Sequence, residues 1–183
     1  MANIEAIETA MRVKSESRRP TAEEKEILLQ YSGFGGIKDV LSLCTDNPVP
    51  DEMSEPLHRL ETHITGYPGF ADDTMRRNAI DGLKTSVLTA FYTPEFIIDA
   101  ISAEVQSLFK HQDIAMGSFL EPSAGIGGFL PVAAAGTEAY AFEKDALTGI
   151  VLSCLYKGEN VSVTVDGSRP SGNTGWRTIV SMS

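Results

Sequence analysis

Residues 118–165 read SFLEPSAGIGGFLPVAAAGTEAYAFEKDALTGIVLSCLYKGENVSVTV, and this stretch decides the fold class. SFLE, a short apolar run closing on an acid, predicts a strand. GGFLPVAAAG predicts the opening of a helix that contains Pro131. EAYAFEKD predicts a second strand and DALTGIVLSCLYKG a second helix. NVSVTVDG predicts a third strand, in which Val161, Val163 and Val165 alternate with polar residues. Strands and helices alternating through short links imply parallel crossovers, so the expected class is α/β with an open sheet.

Upstream the pattern changes. Residues 1–90 read as a mainly helical N-terminal extension, and residues 91–183 as the α/β portion. In RRPTAEEKEILLQYSGFGG, Thr21 and Glu24 form a capping box, in which hydroxyl and carboxylate each take one free backbone N–H. Ile27, Leu28 and Tyr31 then recur at helical spacing, and Ser32-Gly33 with Gly35-Gly36 stop the helix. CTDNPVPDEMSEP reads as a loop. DDTMRRNAIDGLKTSVLTAF is helical, with Met75, Ala79, Leu83 and Val87 on one stripe. Gly82 weakens that helix by about 1 kcal/mol relative to alanine. Thr93 is expected to cap a helix that begins at Pro94, with Phe96, Ile97, Ile101, Val105 and Leu108 facing inward.

Composition narrows the functional classes. The chain has 183 residues, 42% hydrophobic and 22% charged, which is the profile of an ordinary globular protein. No apolar run reaches the roughly 18–20 residues that a bilayer span requires. MANIEAIETAMRV lacks the basic-then-apolar layout of a signal peptide, so a cytoplasmic location is expected. Cys44 and Cys154 make no metal spacing, and His58, His63 and His111 are scattered, so no metal site is expected. The formal charge of -10 opposes nucleic-acid binding by this chain alone, since phosphate neutralisation supplies most non-specific affinity. Lys14, Arg18 and Arg19, and separately Arg76 and Arg77, are short basic clusters that read as solvated helix faces.

The turn after the first strand carries the chemistry. Gly125 and Gly127 let the backbone turn sharply and approach a ligand, and a following helix would aim free N–H groups at the same place. A dinucleotide loop reads GxGxxG, but the third glycine falls here on Leu130, and no GxxxxGK[ST] occurs. Instead Glu121 stands at the strand end, where a carboxylate repels phosphate and attracts an ammonium group. Glu143 closes the second strand twenty-two residues later, near the offset at which an acid accepts from ribose hydroxyls. An ammonium site beside a ribose site describes an amino-acid-bearing nucleoside, S-adenosyl-L-methionine. The bland alternative is a tight strand–helix link beside an exposed acid. A dinucleotide-binding oxidoreductase domain is a further alternative.

EPSAGIGGFL (121–130) resembles the cofactor loop of DNA adenine methyltransferases that act on the exocyclic amino group. AFYTPEFII (90–98) resembles the same family's Tyr-Thr-Pro cofactor segment, and its position upstream matches restriction-modification modification subunits. YSGFGGIKDVL (31–41) resembles the leader of methyltransferase–helicase proteins carried by phages, plasmids and conjugative elements. The resemblance implies a partial Rossmann-like class I methyltransferase sheet preceded by a helical extension. It places Thr93 and Pro94 against the cofactor's methionine portion, with Tyr92 walling the pocket. Glu121 takes the ammonium side, and Ala124, Gly125 and Gly127 form the backbone cradle, in a loop whose Pro122 is also assigned to cofactor binding. Glu143 holds the ribose, Lys144 or a neighbouring apolar residue covers the adenine, and Asp166 contacts the adenine amino group.

The same resemblance implies a base-binding tetrapeptide, Asn or Asp, Pro, any residue, then Tyr or Phe, and this sequence has none in the expected place. RTIVSMS stands where it is expected, and Asn47-Pro48 in DNPVP lacks the aromatic ring. No catalytic residue is therefore assigned. The expected identity is the cofactor-binding portion of such an enzyme, with DNA a partner of the complete protein. A truncated or frame-shifted remnant, or an accessory module without turnover, is the alternative. An incomplete sheet also leaves an open edge, so a homodimer or a partner supplying the missing strands is expected.

Overall fold

The computed structural model describes residues 1–133 and 136–165. Four helices come first: α1 (Ala2–Ser15), α2 (Ala22–Leu29), α3 (Asp51–Gly66) and α4 (Asp73–Thr89). After them come α5 (Glu95–Gln112), β1 (Ser118–Glu121), β2 (Glu138–Glu143), α6 (Ala146–Leu155) and β3 (Val161–Val165). The strands form one parallel sheet in the order β1-β2-β3. The protein is α/β, as the alternation of strand and helix requires.

Register explains which residues share a face. Phe119 pairs with Ala139 and Ala139 with Val161, while Glu121 pairs with Ala141 and Ala141 with Val163. Successive side chains alternate across a strand, so these residues point to one side of the sheet together with Glu143 and Val165. Helix α6 covers that side. Leu152 packs with Ala139 and Ala141, and Gly149 lies so close to Val165 that a Cβ there would sit 2.5 Å from its side chain.

The other flank of α6 faces the helical layer. Leu147, Ile150, Val151, Cys154 and Leu155 belong to the same buried cluster as Ile7, Ala10 and Val13 of α1, Leu28 of α2, Leu60 and Ile64 of α3, and Leu83 of α4. One core thus runs across residue 90, joining the N-terminal helices to the α/β portion. The buried Cys154 thiol donates to the Ala10 carbonyl at 3.4 Å. The capping box forms: Thr21 Oγ1 accepts from Glu24 N, and Glu24 accepts from Thr21 N at 2.9 Å. Arg12 and Arg18 surround the same carboxylate, and Arg18's hydrogen bond leads in holding it down at about 2.

Four local expectations are corrected. The stretch 44–56 is a loop only as far as Pro50, because α3 starts at Asp51 with Asp51 and Glu52 in its first turn, where the helix dipole favours acids. Among the described residues the segment after Gly127 forms only a 3-10 turn, Leu130–Val132. Gly127 at φ 84 is outside the helical basin, and Pro131 removes an N–H and disfavours helical backbone at Leu130. Thr93 does not cap α5; Pro94 is the N-cap, with extended ψ of 142 and no side-chain bond. The expected inward face of α5 is also overturned. None of its residues is buried, and Phe96 is 72% exposed, because α5 packs chiefly on the short 3-10 turn rather than on the sheet. Among the described residues no helix is long and apolar enough to cross a membrane, and no group of His, Cys, Asp or Glu is placed to hold a metal.

Because the core is continuous, truncating Ile7 to Ala in α1 is expected to cost about 2–5 kcal/mol. Hydrogen exchange should show the amides of β2 losing protection together with those of α1. A sheet that kept its protection would show two separable units.

Candidate functional site

A cavity of about 1170 Å³ opens at the carboxyl ends of β1 and β2. The glycine turn forms its floor, and its walls come from α4, the segment leading into α5, and the first turn of α6. Tyr92, Thr93, Glu121, Ala124, Gly125, Gly127, Glu143 and Lys144 all line it. Pro94, the N-cap of α5, and Pro122 stand outside the lining. Asp166 lies outside the described residues.

Glu121 is the unusual group. It ends β1 only 6% exposed, and its Oε2 has no hydrogen-bond partner among the described residues. Burial pushes its carboxyl up to about 7; a bond from the Phe129 backbone pulls it down, and the neighbouring Glu143 charge adds to the rise. A buried acceptor without a donor costs free energy unless something with N–H or O–H groups reaches it.

Glu143 is held differently. Its Oε2 accepts from Gly125 N at 2.8 Å and its Oε1 from Asp145 N at 2.8 Å. The side chain therefore braces the glycine turn against the end of β2, helped by the bond from Ala124 N to the Phe142 carbonyl at 2.9 Å. Burial raises its pKa, and the two backbone donors oppose that rise. Each carboxylate oxygen still keeps an acceptor position.

The glycines are required by the protein's own rings as well as by backbone shape. Gly125 has φ 56, and a Cβ there would meet the Tyr92 ring at 2.8 Å. Gly127 has φ 84, and its Cβ would meet Leu130 and Tyr156 at 2.6 Å. The Tyr156 hydroxyl donates to the Gly127 carbonyl at 3.0 Å, and burial pushes that phenol up to about 12. The bare backbone thus accommodates two tyrosines, Tyr92 and Tyr156, which line the same cavity as the glycines themselves.

Sequence reading missed the wall opposite. Asn78, Gly82, Thr85 and Thr89 lie along α4 at helical spacing and line the cavity, back to back with the buried Ala79, Leu83 and Val87. Asp145 caps α6 by accepting from Thr148 N at 2.7 Å, and its buried Oδ2 has no hydrogen-bond partner among the described residues. A Cβ at Gly82 would stand 2.8 Å from that oxygen, which explains a glycine in mid-helix. Two signals were present: a polar stripe opposite an apolar one, and an acid directly before an apolar helix.

No family model matches the chain, and no curated protein or solved structure matches it significantly. The functional reading therefore rests on the residues of the cleft.

Glu121 makes a pH prediction. Its folded pKa is raised, so the native chain holds this proton more tightly than the unfolded chain, and the associated stability is complete near pH 4 and lost as pH rises through about 7. Glu121→Gln is expected to be more stable than the parent by roughly 2–3 kcal/mol at pH 8, with the gap closing toward pH 4. Urea denaturation across that range checks it. A constant difference between the two proteins would show that ionisation of Glu121 is not the cause.

Proposed function

We propose that this cleft binds S-adenosyl-L-methionine, and that the chain is the cofactor-binding portion of an enzyme that methylates the exocyclic amino group of adenine in DNA. On this reading the three parallel strands are part of a Rossmann-like methyltransferase sheet. The observation that carries the proposal is Glu121, which lines the same cavity as Glu143 and whose buried Oε2 has no hydrogen-bond partner among the described residues.

The chemistry of the donors fits. An ammonium group brings three N–H donors and a positive charge to a carboxylate whose Oε2 has no donor among the described residues, and the pair strengthens in a poorly solvated cleft. Glu143, fixed by Gly125 and Asp145, offers its remaining acceptor positions to the vicinal hydroxyls of a ribose. When bound, the cofactor supplies a methyl group activated on its sulfonium sulfur. Tyr92 and Thr93 form the wall beside the glycine turn, where the family resemblance places the methionine end.

A dinucleotide fits less well. Six carboxylate residues line the cavity, Asp81, Glu95, Asp99, Glu121, Glu143 and Asp145, and the glycine turn leads into a 3-10 turn of three residues, so that turn offers no α-helix N-terminus to a pyrophosphate. The described residues hold no base-stacking tetrapeptide, and the net charge is -10. The chain by itself is therefore proposed to bind cofactor without transferring methyl groups to duplex DNA.

Calorimetric titration is expected to show binding of S-adenosyl-L-methionine and none of a nicotinamide dinucleotide; the opposite pattern would overturn the proposal. Glu143→Ala should weaken binding by about 1.5–3 kcal/mol through lost charged hydrogen bonds. Affinity should rise between pH 6 and pH 8, because the ammonium ligand prefers the ionised form of Glu121, whose pKa lies at about 7. Glu121→Gln should flatten that rise, and an unchanged pH profile would remove Glu121 from the site.

A further inference from the structure

The turn Ser32–Gly36, SGFGG, lies outside the cavity lining, yet its backbone touches the segment that carries Tyr92. Gly36 N donates to the Val87 carbonyl at 2.8 Å, satisfying one of the free carbonyls at the end of α4. At Gly35 a Cβ would stand 2.2 Å from the Ala90 carbonyl oxygen and 3.3 Å from the Phe91 ring. At Gly33, with φ 71, it would stand 2.9 Å from the Ala90 Cβ and 3.3 Å from the Tyr92 hydroxyl oxygen. The Tyr92 ring is therefore held between two bare stretches of backbone, Gly33 behind it and Gly125 in front.

Both ends of the turn are anchored. Asn3 of α1 accepts from Ser32 N at 2.8 Å and from Ser32 Oγ at 3.2 Å, and its amide donates to the Gly33 carbonyl. Tyr31, immediately before the turn, is buried and shares a hydrogen bond with Thr148 Oγ1 at 3.0 Å in the first turn of α6. Phe34 packs edge-on to Tyr31, with ring centroids 6.3 Å apart.

We propose that Gly33 and Gly35 are positioning residues for the cleft: their bare backbones let the turn seat Ala90 and Phe91 so that the Tyr92 ring presses on Gly125 and fixes the glycine turn in the shape that Glu143 hydrogen-bonds. This inference rests on the cofactor reading for its ligand, but not for its geometry. It gives the N-terminal layer a role in the site, because α1, through Asn3, reaches the floor of the cleft by way of one turn and one ring.

Two glycines allow a matched test. Gly33 and Gly36 have φ of 71 and 78, so alanine at either is strained alike, but a Cβ at Gly36 meets nothing within 4 Å. Amide exchange of ligand-free protein reads the Gly125 N–H directly. Gly33→Ala is expected to speed exchange at Gly125 about tenfold more than Gly36→Ala does, with the amides of α1 and α6 equal in the two variants. Asn3→Ala, which introduces no clash and removes an anchor, is expected to speed Gly125 exchange while leaving those core amides unchanged. S-adenosyl-L-methionine affinity should fall about tenfold for Gly33→Ala relative to Gly36→Ala. Equal effects of the two alanines on Gly125, or an Asn3→Ala variant with parental Gly125 exchange, would overturn the positioning role. Failure of the parent protein to bind S-adenosyl-L-methionine would instead overturn the cofactor reading and leave the exchange results standing.

Discussion

Helix α6 is the constraint on which the architecture depends. Eight of its ten residues are buried, and it has apolar side chains on nearly every side. A helix of that kind cannot lie on a protein surface; it must be enclosed. The three-stranded sheet closes one flank, and α1, α2 and α4 close the other. The N-terminal helices are thus the second cover of a crossover helix, and residues 1–90 share a core with the α/β portion.

Enclosing α6 also builds the cleft. Its N-cap, Asp145, stands directly after the end of β2, where Glu143 braces the glycine turn, and packing α4 over its first turn turns the polar stripe of α4 toward the same space. The close approach of Gly82 to Asp145 measures how tightly that wall is drawn in. The site is therefore assembled at a junction of the two layers, which accounts for the contribution of residues on both sides of position 90.

Much of this was readable from local chemistry. SFLE, the alternation of Val161, Val163 and Val165, and the Thr21–Glu24 box are short-range signals, and all three appear where they were expected. The two strand-end acids are legible because a parallel pairing must bring the ends of β1 and β2 together, and Glu121 and Glu143 line one cavity. Signals failed where tertiary partners decide. The apolar stripe of α5 promised burial, but periodicity names a face without naming what covers it, and no sheet face lies against it among the described residues. The glycines of the turn were read as room for a ligand, whereas their bare sides meet Tyr92 and Tyr156, distant partners that no local pattern announces. Gly82 looked like a defect until Asp145 stood against it.

The solitary oxygen of Glu121 has a consequence for anyone reshaping this protein. In the ligand-free chain it is a liability, since a buried carboxylate oxygen without a donor works against folding at neutral pH and above. A library selected for heat resistance alone would enrich neutral replacements at position 121 and discard the acid on which recognition is proposed to turn. Robustness and recognition pull in opposite directions at that one atom.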